Sequence, residues 1–225
     1  MQAYISKADC LRSLTQYKES ISIYSEVLQV KLDLEILLKR AIAYIENEEI
    51  PEALEDLNFL ISKNGTNSEA YLFKGLAFAK NHDYNDAMLA YEQAIKFNTS
   101  RKATTKALYE IAKLKIDMGD YYGASYTLER ANSLDIDMKV LEKMKIFTEG
   151  STSIMKKKFK RGIENLSILS RKENLSDQLR PLIYSFRSYG YFCQNKFSNA
   201  INDLRTLTKL GFQLDKACQY NNTLL

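Results

Sequence analysis

Residues that could perform catalysis or bind a metal ion are few in this chain of 225 residues. His82 is the only histidine, and the three cysteines, Cys10, Cys193 and Cys218, are far apart and form no Cys-x-x-Cys pair. Because a metal centre or a nucleophilic site needs several convergent groups, these isolated side chains predict neither. We expect no metal site, no cofactor and no disulfide framework, and a cytoplasmic location in which thiols stay reduced.

Motifs that hold phosphates, zinc or an activated serine are also missing from the sequence. Acidic pairs such as Glu48 with Glu49, and Asp135 with Asp137, are interpreted as exposed turn residues and not as a general acid and base. The sequence therefore predicts a protein without enzymatic activity. A regulatory arm of a larger enzyme, whose catalytic part lies outside these residues, is the competing hypothesis.

One short segment concentrates positive charge. Lys156, Lys157, Lys158, Lys160 and Arg161 place five cations within six residues, although the net charge of the chain is only +4. A solvated turn is the simplest interpretation, an acidic protein partner the second and nucleic acid the third, since no aromatic platform or basic stripe accompanies the cluster. The cluster is thus a candidate patch for an acidic partner.

Membrane insertion and secretion are not expected. No stretch approaches 18 uncharged apolar residues, and residues 1–10 lack the basic start and apolar run of a signal peptide. Charged residues make up 27% and apolar residues 45% of the chain, with two prolines and eight glycines to interrupt helices. This composition is that of a water-soluble, helix-rich protein.

The elements that must position these residues follow from a spacing that returns six times. A small residue is followed four positions later by a large apolar one, at intervals of 33 to 38 residues. The small residues are Ser20, Ala53, Ala87, Ala124, Gly162 and Ala200, and the large ones are Tyr24, Leu57, Tyr91, Leu128, Leu166 and Leu204. Such regular intervals, too long for a heptad, indicate a tandem array.

Each unit of the array reads as a helical hairpin. Twelve positions before each small residue lies another one, at Ala8, Ala41, Gly75, Ala112, Gly150 and Ser188. A bulky residue lies three positions before each small residue of the first set (Ser20 and its equivalents), at Tyr17, Ile50, Tyr84, Tyr121, Phe159 and Phe197. Small residues at matched points let two helices approach closely, and we expect the bulky residues to fill the space beside that contact.

The spacing resembles the tetratricopeptide repeat, whose 34-residue unit has small residues at positions 8 and 20 and aromatic residues at positions 11 and 24. Residues 68–99 carry the best copy, with Gly75, Phe78, Ala87 and Tyr91 on family positions. Lys74 departs from the usual leucine, and Thr99 replaces the closing proline. The resemblance covers nearly the whole chain and implies an all-α, right-handed superhelical solenoid of antiparallel helix pairs.

A single solenoid is predicted over residues 1–225. Its six repeats are expected at 1–33, 34–67, 68–104, 105–142, 143–180 and 181–210, and residues 211–225 are expected to begin a further helix. Terminal units of a solenoid need a polar outer face, yet the first and last units here are apolar. We therefore expect the ends to be covered by a longer array or by other subunits.

Function in this family lies on the surface formed by the first helices of successive repeats. Carried over by position, that surface presents an apolar partner-binding groove made of Leu38, Ile42, Ile45, Leu72, Leu76, Tyr109 and Ile116. A large apolar surface normally marks a partner site, and a helical or extended peptide would fit it. In the opposing interpretation, the same residues pack against neighbouring units.

The resemblance also allows a chaperone cofactor, which holds the C-terminal carboxylate of a peptide with lysine, arginine and asparagine side chains. The first three units offer Ile5 and Asp9, then Lys39, then Glu69 and Phe73 at those places. Without a set of cations the carboxylate would lack charge-assisted partners, so this activity is disfavoured.

We therefore predict a scaffold or adaptor that binds proteins within a larger assembly, without a small-molecule substrate and without membrane insertion. Nucleic acid is not an expected partner. A cytoplasmic site is expected, and the sequence does not separate a ciliary or cytoskeletal assembly from a degradation or transport complex, because one fold serves all of them.

Overall fold

The structure, a computed structural model, describes residues 1–134, 139–172, 175 and 179–212. This part of the chain contains twelve α-helices and no strand. It forms two compact units, residues 1–114 and 115–225. Asp135, Asp137, Cys218 and most of the predicted further helix (213–225) lie outside the described residues.

The first unit contains six complete helices and most of a seventh. These are α1 (Gln2–Ser13), α2 (Tyr17–Val30), α3 (Leu34–Glu46), α4 (Ile50–Lys63), α5 (Ser68–Lys80), α6 (Tyr84–Phe97) and α7 (Arg101–Asp117), whose last residues belong to the second unit. Helices α1 to α5 each pack on the next, and α3 also packs on α5. This is the consecutive helix-pair packing of an α-solenoid.

The second unit continues with five more helices. These are α8 (Tyr121–Asn132), α9 (Lys139–Met155), α10 (Phe159–Ser170), α11 (Leu179–Cys193) and α12 (Phe197–Lys209). Each packs on its successor, and α9 also packs on α11. Helices α7, α9 and α11 begin at residues 101, 139 and 179, two to four residues before the repeat starts predicted at 105, 143 and 181.

The turn inside every hairpin has one geometry. Each first helix carries one of the small residues, Ala8 in the first hairpin. The residue seven positions after it has a positive φ in all six hairpins: Thr15, Glu48, His82, Gly119, Lys157 and Asn195. The next amide then donates to a carbonyl five residues back, as from Asp83 N to Phe78 O at 2.9 Å and from Lys158 N to Ser153 O at 2.8 Å. This is the Schellman helix ending, which reverses the chain and starts the second helix of each hairpin.

Both sets of small residues lie in the core, as predicted. Ala8, Ala41, Ala53 and Ala87 have no exposed surface, and a Cβ built on Gly75 would lie 2.4 Å from the ring of Tyr91. The bulky residues begin the second helices, but they do not all fill the core. Tyr84 and Phe197 are about half exposed, whereas Ile50 and Tyr121, which also begin second helices, are buried.

An arginine–aspartate pair recurs in both units. Arg40 on α3 donates two hydrogen bonds of 2.8 Å to Asp56 on α4, and Arg187 on α11 donates bonds of 2.8 and 2.6 Å to Asp203 on α12. Asp56 and Asp203 are buried. The hydrogen bonds to Asp56 raise the pKa of Arg40; burial would lower the pKa of Arg187, but its bonds to Asp203 raise it overall. These pairs fasten the two helices of their hairpins.

The same arginines reach the preceding hairpin. Arg40 donates to Ser25 Oγ at 3.1 Å, and Arg187 donates to Ser170 Oγ at 2.5 Å. Lys74, at the equivalent place in the third repeat, donates to Asn58 at 2.8 Å. Its departure from leucine is therefore structural, because the cation joins one hairpin to the previous one.

Candidate functional site

The first helices of the first unit are joined by charged side chains. Arg12 on α1 lies 2.9 Å from Glu46 on α3, and Asp9 on α1 lies 2.9 Å from Lys39 on α3. Lys39 also lies 3.7 Å from Glu35 on its own helix. The pairs show that α1 and α3 lie side by side and form one surface.

Asp9 is held on its other side by a tyrosine. Tyr24, fully buried on α2, donates its hydroxyl to Asp9 Oδ1 at 2.5 Å. Burial and this hydrogen bond raise the pKa of Tyr24 to about 12. Burial would raise the pKa of Asp9, but the bonds from Tyr24 and Lys39 lower it overall. Asp9 is therefore a fixed anion with its partners already in place.

Side chains also connect α5 to α7. The ammonium of Lys106 lies 5.5 Å from the ring centre of Phe73, a cation–π distance, and Ser100 Oγ donates to Glu69 at 3.0 Å. Since α3 packs on α5, these contacts continue the surface begun by α1 and α3.

The predicted groove residues divide into two groups on this surface. Leu38, Ile42, Leu76 and Tyr109 are half-buried, as the groove requires. Ile45, Leu72 and Ile116 are only 6, 3 and 4% exposed. The expectation that these three line an open groove is corrected: Ile45 and Leu72 belong to hydrophobic clusters of the first unit, and Ile116 is buried in the second.

Phe73 is a surface residue that the sequence interpretation omitted from the groove. It is half-buried, packs against the cluster containing Ile45 and lies beneath Lys106. Two features of the sequence could have placed Phe73 on this surface: it follows Leu72, and Lys106 lies on the next first helix. We call Leu38, Ile42, Phe73, Leu76 and Tyr109 the inner strip.

In the first three repeats, the places of a carboxylate clamp hold no unpaired cation. Lys39 is the one basic residue among them, and its ammonium already contacts Asp9 and Glu35. Ile5 and Phe73 are apolar, and Glu69 is itself an acceptor. A peptide carboxylate placed here would meet two carboxylates and no unpaired cation.

The five cations of the basic cluster lie at the turn between α9 and α10. Lys156, Lys157, Lys158, Lys160 and Arg161 are all exposed. The ammonium of Lys156 lies 5.2 Å from the ring centre of Tyr122. Together with Gln194 from the next hairpin, the other four line an open pocket of about 640 Å³. We call it the basic pocket.

The candidate catalytic residues are not assembled into a site. His82 lies in the exposed turn between α5 and α6, with Nδ1 2.9 Å from the hydroxyl of Tyr84. Among the described residues, no group of three histidine, cysteine or acidic side chains could hold a metal ion. Cys10 is exposed and Cys193 half-buried, and both are free thiols. No described helix has the length and apolar character needed to span a membrane.

Comparison with known families identifies the hairpins. The sequence profile described as tetratricopeptide repeat matches residues 2–33 and 68–100, which hold α1 with α2 and α5 with α6. These two hairpins are tetratricopeptide repeats, and the chain has the all-α solenoid fold that such repeats form. The other four hairpins share the turn geometry of the two matched ones. A comparison with curated protein sequences gave no significant match.

Solved structures, tetratricopeptide repeat proteins among them, share this fold. One from Parabacteroides merdae has a TM-score of 0.57 and 18% identity, covering 98% of this chain and 82% of that one. The Pseudomonas aeruginosa protein pilF has a TM-score of 0.70 and 10% identity, covering 93% and 90%. YrrB, described as having an unusual peptide-binding site, has a TM-score of 0.64 and 12% identity, covering 88% and 97%. At these identities the likeness concerns the fold.

The tetratricopeptide repeat fold is in general a protein-interaction scaffold and is typically not catalytic. Protein partners are therefore the class of ligand that the fold supports.

Proposed function

We propose that this tetratricopeptide repeat protein is a non-enzymatic scaffold whose inner strip binds an amphipathic helix or extended segment of a protein partner within a larger assembly. The observation that carries the proposal is the partial exposure of five large apolar side chains on neighbouring first helices. Soluble proteins seldom leave such a surface uncovered unless a partner uses it.

The strip has the spacing that a helical partner needs. Leu38 and Ile42 are four residues apart on α3, and Phe73 and Leu76 are three apart on α5, so each pair shares a helix face. A partner helix with apolar residues at three- and four-residue spacing can pack against such rows. The ion pairs Arg12–Glu46 and Asp9–Lys39 supply a polar border at one end.

Two other functions receive less support. A chaperone cofactor would need free cations where Lys39 is already paired, so peptide carboxylates are not the proposed ligand. A regulatory arm of a larger enzyme would use the same strip to hold its catalytic part. A catalytic domain continuous with this chain in the native gene product would favour the arm, and a stoichiometric set of structural proteins would favour the scaffold. We also propose that the protein acts in the cytoplasm, where a ciliary or cytoskeletal assembly is one possible setting.

A quantitative affinity purification from the source cell tests the strip. The wild-type protein, Leu76→Asp and Leu89→Asp serve as baits; Leu89 is 58% exposed on α6 and lies outside the inner strip, which makes it a matched control. Burying a new carboxylate under a partner should cost at least about 1.4 kcal/mol, or tenfold in affinity. We expect a stoichiometric partner to be lost with Leu76→Asp and kept with Leu89→Asp.

Circular dichroism on the same variants separates binding from folding. Both variants should keep the wild-type helical content, because Leu76 is only half-buried and Leu89 is exposed. Leu72→Asp should instead unfold its hairpin, since Leu72 is 3% exposed in the core. Retention of every partner by a folded Leu76→Asp protein would exclude the inner strip as the binding site.

A further inference from the structure

The cations of the basic pocket lack the carboxylate partners that two other cations of the second unit have. Arg187 is paired with Asp203, and Lys172 lies 3.1 Å from Glu142. Within the described residues, no ion pair involves Lys157, Lys158, Lys160 or Arg161. The pocket therefore presents four positive charges that form no ion pair on one small surface.

Two hairpins build the pocket. The turn before α10 and the first turn of α10 supply the cations, and Gln194, which follows α11, supplies an amide from the neighbouring hairpin. Phe159 forms part of the wall, with its ring 6.4 Å from that of Tyr189 and at a steep angle to it. Glu164 is the one carboxylate in the lining, so the lining carries a net charge of +3. A concave surface of this kind favours an anionic ligand over plain solvation.

This charge is placed where it opposes helix stability. Lys160 and Arg161 lie in the first turn of α10, at the positive end of the helix dipole, where acidic residues are favoured. Lys158 occupies the N-cap position and makes no side-chain capping bond, whereas Asp120 caps α8 in the same unit. The start of α10 thus lacks both the side-chain cap and the acidic first turn that favour a helix, as happens at some functional surfaces.

We propose that the basic pocket binds an acidic segment of a protein partner through its carboxylate or phosphoryl groups. The inference rests on the proposed role as a protein-binding scaffold and adds a second contact to it, in the other unit. Nucleic acid fits less well, because the cations occupy one turn and do not follow a groove lined with stacking aromatics. A phosphoryl group and a pair of carboxylates offer the same chemistry, several anionic oxygens close together.

Fluorescence anisotropy with the full chain and labelled ten-residue peptides tests this. One peptide carries alternating glutamate and serine, a second carries phosphoserine, and a third has glutamine in place of glutamate. We expect the anionic peptides to bind, with an affinity that falls as salt is raised, and the glutamine peptide not to bind. Comparison of the first two peptides shows which anionic group is preferred. Equal binding of the glutamine peptide would overturn the proposal.

Charge-reversal variants locate the binding. Lys160→Glu with Arg161→Glu removes two pocket cations and places acids where the dipole of α10 favours them, so the helix should be kept. Arg205→Glu with Lys209→Glu makes the same charge change at exposed positions of α12 outside the pocket. The pocket variant should lose about tenfold in peptide affinity or more, and the control less than about twofold. Equal losses would reduce the effect to net charge and refute the site.

Lys158→Asp gives an independent readout. The aspartate should cap α10 and raise the melting temperature while it weakens peptide binding, an opposite pair of effects that a merely structural role would not produce. Pocket-dependent binding of duplex RNA or of vesicles containing phosphatidylserine, without peptide binding, would overturn the proposal. Leu76→Asp should leave peptide binding unchanged, so a failure of the inner strip and a failure of the basic pocket are measured separately.

Discussion

At the scale of single residues, the small side chains of the repeat decide how closely its two helices pack. Gly75 shows this most directly, because a Cβ at its position would lie 2.4 Å from two ring atoms of Tyr91. Tyr91 has no exposed surface, so its ring cannot move aside. The glycine is required by a neighbour on the other helix and not by its own backbone.

Gly75→Ala should therefore destabilise the first unit. Overpacking typically costs about 1 to 3 kcal/mol, which exceeds the roughly 1 kcal/mol that alanine gains from helix propensity. Urea denaturation followed by circular dichroism measures the difference. Gly65→Ala is the control, since its nearest contact would be 3.8 Å away, and it should change stability by less than about 0.5 kcal/mol. A stabilised Gly75→Ala protein would show that the tyrosine can repack.

Residue burial could be predicted from the sequence only where the repeat itself fixes it. The small residues at Ala53 and Ala87 are buried by their own hairpin, and the spacing was enough to place them. Leu38 and Leu72 occupy equivalent places, yet only Leu72 is buried, in a cluster that includes Ala103 and Ala107 of α7. Its environment depends on the following repeat, which the pattern around Leu72 does not contain.

At the scale of helices, buried arginine–aspartate ion pairs join the two helices of a hairpin, and the repeat spacing of the sequence did not predict them. Arg40 and Asp56 are sixteen residues apart, as are Arg187 and Asp203, and both pairs join the two helices of one hairpin. The two pairs share one spacing in the sequence, but the spacing of small and apolar residues does not reveal them. The turns were better predicted, because polar residues at Asn81 to Asp83 mark the point where α5 ends.

Removal of one partner from such a pair should be costly. Asp56→Ala leaves the Arg40 guanidinium without its carboxylate and should lower the free energy of unfolding by about 3 kcal/mol. Arg40→Leu combined with Asp56→Ala should recover a large part of this loss, because no charge then stays buried. Denaturation of the two single variants and the double variant forms a thermodynamic cycle. Additive losses would mean that the pair is not coupled.

At the scale of the whole molecule, the main helix contacts of the described residues join helices that are adjacent or next but one within a unit. Stability in such an array is the sum of local terms, and opening can stay local. The order of helix pairs was predictable from the sixfold spacing. The division at residue 114 was not, because the spacing runs on through it.

Hydrogen exchange followed by mass spectrometry should reveal this locality. Asp203→Ala should speed amide exchange in α11 and α12 and leave α1 to α4 unchanged, while Asp56→Ala should do the reverse, because each aspartate is buried in a different unit. The two variants control for each other. Equal acceleration along the whole chain would show that the molecule unfolds as one cooperative body.

The hairpin turns carry a consequence for evolution and engineering. Of the six positive-φ positions inside the hairpins, only Gly119 is a glycine. Thr15, Glu48, His82 and Asn195 are exposed and belong neither to the inner strip nor to the lining of the basic pocket. Each side chain costs roughly 1 to 2 kcal/mol in this conformation, somewhat less for asparagine. Natural selection has thus left this array below its attainable thermostability. Glycine at these four turns should give a more thermostable protein whose inner strip and basic pocket are unchanged.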